Sequence, residues 1–396
     1  MTSAARIQVL VVISHLAVGG AENIAITLAE SATDSVDFTI FVVLSQTPDL
    51  EVEEDLKRRL KLSGINLYFG TAVNFKRGGV VLAAWRLRQV ILNKLPDVIH
   101  VHTEVPELTL AVALLSLPPR WSKRVIRTVH NTLLWSGWNG IGRWVTRRLE
   151  SAVVACVSKA AMEANALLRI TAGAKNSSPI YPYLVYNGVS IPRHTKSSRS
   201  DNRYANNQFG TAANKPVARL LFAGRFEAQK GVDQLRLILD RAHSAMPSQA
   251  DVTLIGSGSM RASVQAELEN TLISWPITFL DSLPNLGEHL ADYDLVLMPS
   301  RFEGLPLLAI EALLAGVPVV AFAAPGLSEV IPPTNLLSAP AGDIDAFAER
   351  IVSFLKDPSD FFVDVQSRRR EMTALFSIDT MKNQYIDIYR IMASML

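Results

Sequence analysis

The chain has 396 residues, 49% of them apolar and 19% charged, which excludes a disordered segment and supplies enough apolar surface for two cored domains. Its single cysteine, Cys156, sits in the apolar run 152–157, so no intramolecular disulfide forms; the thiol reads as a small core residue and the chain fits a reducing compartment. The formal charge of +2 hides a split, because residues 1–195 carry 21 Lys and Arg against 14 Asp and Glu while residues 196–396 carry 18 against 23; a basic first half suits an anionic partner.

Val9 to Ile13 predicts a buried strand leading into the glycine turn at Gly19 and Gly20. A secretory leader is the competing reading, but Gln8, Ser14 and His15 interrupt the apolar run and no small-residue cleavage pattern follows. Ala21 to Glu30 has helical spacing, and Phe38 to Leu44 predicts the next strand. This rhythm implies a parallel sheet with crossover helices. It recurs at Val98 to His102, Arg124 to His130 and Ala152 to Ser158. From Arg193 to Lys215 the chain turns polar, as a linker or long surface loop does. A second strand series follows at Ala218–Ala223, Val252–Ile255, Ile277–Leu280, Leu295–Met298 and Val317–Ala321. The apolar stretch from Leu305 to Ala324 contains Glu311, Gly316 and Pro318, too interrupted for a spanning helix; a soluble or at most peripheral protein is expected. The expected fold class is α/β, with two Rossmann-like domains facing each other across a cleft: residues 1–192, a polar linker 193–215, and residues 216–396, whose last helix is expected to pack back on the first domain.

The segment 299–312, PSRFEGLPLLAIEA, follows a strand and opens a helix, so the N–H groups after Gly304 form an anion site suited to phosphate. Glu303 precedes the helix and Glu311 lies two turns on, which brings two carboxylates towards one ligand, one near a sugar and one near a ribose diol. Residues 223–231, AGRFEAQKG, place Arg225 and Lys230 in another strand-to-helix loop. A guanidinium fork and a mobile ammonium are what a diphosphate leaving group needs.

With these loops and the following LLAGVPVVAFAAPGLSEVI, the chain resembles family 4 of the retaining glycosyltransferases, which have the GT-B fold. The resemblance implies that Arg225 and Lys230 contact the diphosphate, Glu303 the donor sugar, Glu311 the ribose, and the Leu307 and Leu308 backbone the phosphates. It also implies donor contacts at Gly256, Leu280, Gly304 and Leu305. In the first half, residues 15–22, HLAVGGAE, resemble the family's glycine loop, so Gly19 and Gly20 would admit donor phosphate or acceptor. Residues 128–131, TVHN, resemble a histidine motif that the family completes with Asp; Asn131 stands there instead, and His130 would hydrogen-bond the donor sugar.

Three other patterns carry less. Gly256-Ser257-Gly258 has Arg261 where a dinucleotide fingerprint has its third glycine, which favours a turn lining the nucleotide site. Asp292 and Asp294 resemble a metal pair but lead into a buried strand, and the cations at 225 and 230 do a metal's work, so no metal or cofactor is expected beyond the donor substrate. His100 and His102 share one strand face without a third ligand, giving a cleft-edge role rather than a zinc site.

Between Pro119 and Glu150, Arg120, Lys123, Arg124, Arg127, Arg143, Arg147 and Arg148 mix with Trp121, Trp135, Trp138 and Trp144. Two readings stand: an anionic membrane interface or lipid-phosphate acceptor site, or a core strand beside an ordinary basic helix. Nucleic acid is not expected as a partner. The expected protein is a metal-independent retaining hexosyl- or N-acetylhexosyltransferase, using a UDP-sugar in preference to a GDP-sugar and a glycan or lipid-linked acceptor. Cell-surface polysaccharide or lipopolysaccharide biosynthesis is its expected setting, in the cytoplasm or peripheral on the inner face of the membrane. A GT-B epimerase of nucleotide sugars and a non-catalytic binding module are the alternatives.

Overall fold

The computed structural model describes residues 6–16, 20–45, 50–73, 78–174, 182–190, 217–246, 250–281, 283 and 286–395. The chain divides into two compact units, residues 1–188 with 378–396, and residues 189–377. The segment 193–215, read above as a linker, lies outside the described residues.

The first unit is built on strands β1 (Ile7–Ile13), β2 (Val36–Leu44), β3 (Asn66–Thr71), β4 (Val98–His102), β5 (Val125–Val129), β6 (Val153–Cys156) and β7 (Tyr183–Leu184). They lie in the order β3-β2-β1-β4-β5-β6-β7 with parallel pairings. Strands such as IQVLVVI are apolar along most of their length because both faces of a parallel sheet are covered. The edge strand β3 is only half covered and carries no such run, which hid it from the sequence pattern. Ser158 Oγ accepts the Ala161 N–H at 3.0 Å and caps the helix Lys159–Ala172. Cys156 is buried in β6, where burial pushes its thiol up to about 12.

The helix Ile378–Ser394 belongs to this unit although 189 residues of the other intervene. Its buried Met381, Tyr385, Ile388, Tyr389 and Met392 recur every three or four residues, the stripe an amphipathic helix lays on a core. It packs against β1, β4 and the helix Gly20–Ser31.

The second unit has strands β8 (Ala218–Ala223), β9 (Ala250–Ile255), β10 (Ile277–Leu280), β11 (Leu295–Met298), β12 (Val319–Phe322) and β13 (Ser338–Ala339). Their order is β10-β9-β8-β11-β12-β13, again parallel. β12 starts two residues later than the apolar run predicts, since Pro318 has no N–H to give a ladder. Each sheet turns its strand order over once, between β1 and β4 and between β8 and β11. Loops leaving the carboxyl ends of strands at such a reversal are where open α/β sheets bind ligands. Among the described residues no helix is long and apolar enough to cross a membrane.

Candidate active site

The reversal in the second unit is flanked by the two loops that the sequence singled out: Gly224–Gly231 after β8 and Pro299–Pro306 after β11. They come together because Gly231, at φ +67°, has no side chain: a Cβ there would lie 1.9 Å from the Pro299 carbonyl oxygen. The Arg301 N–H then donates to the Gln229 carbonyl at 2.9 Å, and Gln229 Nε2 donates to the Phe302 carbonyl at 3.2 Å. The Arg301 guanidinium forks onto both Asp233 oxygens at 2.7 and 2.6 Å and also donates to the Ala228 carbonyl.

This stitching fixes the Lys230 ammonium 2.7 and 2.9 Å from the two oxygens of Glu303, whose side chain is only 7% exposed. Arg225 is exposed on the same loop and donates to Gln229 Oε1 at 3.0 Å. The structure therefore brings three of the expected catalytic residues into two braced loops, with Lys230 on a carboxylate partner. The bracing residues Gln229, Asp233 and Arg301 were not singled out from the sequence, because a fork onto Asp233 requires a fold before it has an address.

Gly304 and Leu305 are buried, and the helix Leu307–Leu314 opens just beyond them. The Leu307 N–H turns back to the Leu305 carbonyl at 3.0 Å, while the Leu308 N–H belongs to the first turn, which has no carbonyl of its own helix to meet. Glu311 sits further along, its carboxyl against Gly287, and burial pushes it up to about 7. The two glutamates thus have different neighbours, Lys230 for Glu303 and Gly287 for Glu311.

At the ends of β9 and β10 the Gly256 N–H donates to the Leu280 carbonyl at 3.1 Å. Gly256, at φ +137°, leaves no room for a Cβ, which would fall 2.0 Å from the Gly224 carbonyl oxygen. Arg261 donates to the Gly256 and Leu280 carbonyls at 2.8 and 3.0 Å, beneath the rings of Phe226 and Phe279. Where a dinucleotide fingerprint has glycine, this turn has an arginine clamp. Asp294 is a strand clamp: it is buried and accepts the Arg219 N–H at 2.8 Å. Asp292 lies 3.6 Å from the His289 imidazole.

In the first unit, Gly19 lies outside the described residues, and Gly20 opens its helix with no atom of another described segment within 4 Å of where a Cβ would stand. His130 follows β5, and its Nε2 lies 2.9 Å from His102 Nδ1. The cleft-edge reading of His100 and His102 is corrected: both are buried. His100 bridges the Tyr389 hydroxyl at 2.7 Å and the Thr128 hydroxyl at 2.6 Å, and Thr128 meets the Tyr385 hydroxyl at 2.9 Å. Burial holds His100 and His130 down at about 3, and His102 well below its ordinary value, so all three are neutral at neutral pH. One proton is then shared between His102 and His130. Placing it on His102 Nδ1 leaves the buried His102 Nε2, which has no partner among the described residues, as a bare acceptor rather than an orphaned donor. His130 then carries its proton on Nδ1 and is a hydrogen-bond donor there.

The basic and tryptophan-rich stretch divides between core and surface. Arg127 is buried in β5 with Nε and Nη2 on the Glu107 carboxylate at 3.0 and 2.8 Å, and Trp121 and Trp135 are core residues. Arg148 donates to the Leu114 carbonyl at 2.7 Å. Arg120, Lys123, Arg143 and Arg147 remain exposed, with Trp138 and Trp144 half-buried.

Sequence models of two families match the chain, Glycosyltransferase Family 4 over residues 18–174 and Glycosyl transferases group 1 over residues 204–372. The GDP-mannose-dependent monoacylated alpha-(1-6)-phosphatidylinositol monomannoside mannosyltransferase of Corynebacterium glutamicum is 28% identical over 200 residues, 48% of this chain and 51% of that protein. A glycogen synthase of Mycobacterium tuberculosis is 25% identical over 311 residues, 74% of this chain and 68% of that protein. The chain spans about half the length of the first curated relatives it matches, 51% and 54%. Among solved structures, Anabaena HepE in complex with UDP and glucose matches with a TM-score of 0.75 at 20% identity, over 97% of this chain and 99% of that one. This likeness gives the fold: GT-B, with two Rossmann-like α/β units.

Proposed function

The chain belongs to family 4 of the glycosyltransferases, and on that premise we propose that it is a retaining enzyme moving a hexosyl or N-acetylhexosyl group from a UDP-sugar to a glycan or lipid-linked acceptor. The observation that carries this reading is the Lys230 and Glu303 couple, held by braced loops at the strand-order reversal of the second unit. Departure of a nucleoside diphosphate concentrates negative charge on phosphate oxygens while the sugar becomes oxocarbenium-like. Lys230, Arg225 and the first-turn N–H groups near Leu308 are preorganised cationic and dipolar groups of the kind that lower such a barrier.

Glu303 would then orient the donor sugar, and Glu311 the ribose. Gly256, Leu280, Gly304, Leu305 and Leu307 would frame the nucleotide, and His130 would donate from Nδ1 to a sugar hydroxyl. Gly20 would leave room for phosphate or acceptor. UDP is favoured over GDP because HepE, which covers nearly the whole chain, was solved with UDP and glucose. Retention by front-face attack belongs to this reading, since the Glu303 carboxylate is held by Lys230 rather than free to act as a covalent nucleophile. The reading includes no metal cofactor, since Asp294 is committed to Arg219 and the cations come from side chains. It extends to cell-surface polysaccharide or lipopolysaccharide synthesis by a cytoplasmic protein at the inner face of a membrane.

The test is a thermal-shift panel of uridine, guanosine and adenosine diphosphates and their sugars, followed by transfer assays with and without EDTA. UDP and one UDP-sugar should raise the melting temperature by mass action. No shift with any nucleotide would sink the reading, donor interconversion without acceptor would favour an epimerase, and loss of turnover in EDTA with rescue by magnesium would overturn the metal-free mechanism.

A further inference from the structure

We propose that His102 is a positioning residue for the transfer reaction: it holds the neighbouring His130 in the tautomer that donates from Nδ1, the work a carboxylate would otherwise do, without giving His130 a charge. This rests on the transferase reading above, in which His130 meets the donor sugar, and adds the residue that orients it.

The device starts near the end of the chain, on the helix Ile378–Ser394. His100 is pinned at both ring nitrogens, Nδ1 by the Tyr389 hydroxyl at 2.7 Å and Nε2 by the Thr128 hydroxyl at 2.6 Å, and the Tyr385 hydroxyl meets Thr128 in turn at 2.9 Å. The His102 ring lies against this fixed imidazole, with 4.0 Å between centroids and 35° between planes. Its second ring neighbour is His130, at 5.2 Å between centroids, joined to it by the 2.9 Å hydrogen bond between His102 Nδ1 and His130 Nε2. Three imidazoles thus stand in series, and the helix fixes the first of them.

Which nitrogen of an imidazole carries the proton is set by the group that its other nitrogen meets, often a carboxylate or a backbone carbonyl. Neither serves His130. Among the described residues its ring has one hydrogen-bond partner, His102, and the position where the resembling motif has Asp holds the neutral amide of Asn131. A carboxylate at His130 Nε2 would draw the proton there and leave Nδ1 bare. His102 acts the other way: its buried Nε2 has no partner among the described residues to accept a proton's hydrogen bond, so its own Nδ1 carries the N–H and donates. His130 then keeps its proton on Nδ1.

The other titratable groups around His130 do not charge it. Glu104, Glu107 and Arg127 line the same notch at the ends of β4 and β5, but Glu107 is paired with Arg127 at 2.8 Å and burial draws Glu104 towards its neutral form. Burial holds His130 itself, like His100, in the neutral state.

The experiment uses two isosteric replacements in the full chain, His102→Asn and His102→Asp. Each puts an atom bonded to Cγ where Nδ1 stood; the amide can donate from it, whereas the ionised carboxylate can only accept. Long-range proton–nitrogen correlation spectra of histidine-labelled protein, with the His130 signals identified by their loss in His130→Gln, should show His130 protonated at Nδ1 in the parent and in His102→Asn. Turnover of the UDP-sugar identified by the thermal-shift panel should be retained in His102→Asn. In His102→Asp the proton should move to Nε2 in mildly alkaline solution, and turnover should fall roughly tenfold or more, as for loss of one oriented donor. That turnover should recover as pH falls, because a second proton returns the N–H to Nδ1. A steric loss would not recover in acid. An Nε2-protonated His130 in the parent, loss of turnover in His102→Asn, or a loss in His102→Asp that acid leaves unchanged would each overturn the proposal. Should His102→Asp fail to fold, the parent spectrum and the Asn variant still decide it. UDP-induced thermal shift on the same proteins separates the two readings: no shift in any of them, the parent included, sinks the transferase reading, while the tautomer is judged on the spectra alone.

Discussion

The Lys230 ammonium straddles the Glu303 carboxylate, 2.7 Å from one oxygen and 2.9 Å from the other, although the two residues lie 73 positions apart. Each half of this couple is sequestered by the other, so a donor with a diphosphate and a sugar offers each a replacement partner. Lys230→Ala and Arg225→Ala should each lower turnover roughly tenfold or more, the scale of losing a preorganised charge at a developing anion. Their stabilities should differ. Lys230→Ala leaves Glu303 buried and unpaired, a loss of about 1–3 kcal/mol, whereas Arg225→Ala removes an exposed side chain and should cost no more than about 0.5 kcal/mol. Steady-state assays and urea melts check both; near-normal turnover in the two variants removes the diphosphate assignment.

Glu311 gives the second unit a pH dependence of unusual sign. Its folded value is raised to about 7 from an ordinary 4.5, so the folded state binds the proton more tightly than the unfolded chain. Stability is therefore highest below the unfolded value and falls as pH rises towards about 7, by about 3 kcal/mol in all. Glu311→Gln should flatten that slope. Urea unfolding of the two proteins at several pH values between 5 and 8 decides it, and parallel curves would show that Glu311 titrates normally.

The first unit should respond in the other direction. His100 and His130 are held at about 3 and His102 well below its ordinary value, so the unfolded chain takes protons that the folded chain refuses. Stability is fully present above about 6.5 and is lost as pH falls towards 3, at about 1.4 kcal/mol per pH unit for each such proton. Replacing His130 by Gln should reduce the acid slope by one proton. A slope unchanged between pH 6.5 and 5 in that variant would contradict the buried neutral assignment.

Membrane docking is testable on the cations that stay exposed. Arg143 and Arg147 are exposed, so Arg143→Ser with Arg147→Ser should weaken sedimentation with anionic vesicles and leave the UDP thermal shift alone. Binding by the parent protein should fall with salt, because exposed charges are screened over about 10 Å at 0.1 M. Equal binding to neutral and anionic vesicles would end the electrostatic account.

The strands were legible because buried parallel strands write unbroken apolar runs, and the Gly231 and Gly304 loops were legible because they stand directly after such runs. Partner choice was not. Arg127 stands in a predicted strand among other basic residues, yet its guanidinium is neutralised by Glu107 on another element, which no local pattern states. His100 and His102 alternate as a half-exposed strand would, yet the helix Ile378–Ser394, far along the chain, covers His100 with Tyr385 and Tyr389, and His102 packs between His100 and His130. In the same way Arg261 was legible as a failed glycine, but its hold on the Gly256 and Leu280 carbonyls depended on two strand ends meeting.

The separation of that helix from the rest of its unit also sets an order for biosynthesis. When a ribosome has delivered residues 1–188, the face of β4 and β5 that carries His100 and Thr128 still lacks both tyrosines, and it continues to lack them until residues 189–377 have been made. The second unit is contiguous in sequence and meets no such delay, so it can fold during translation, as domains generally do. The unit begun first is completed last, and a chain cut short of Tyr385 would leave a buried histidine and threonine for chaperones and proteases to find.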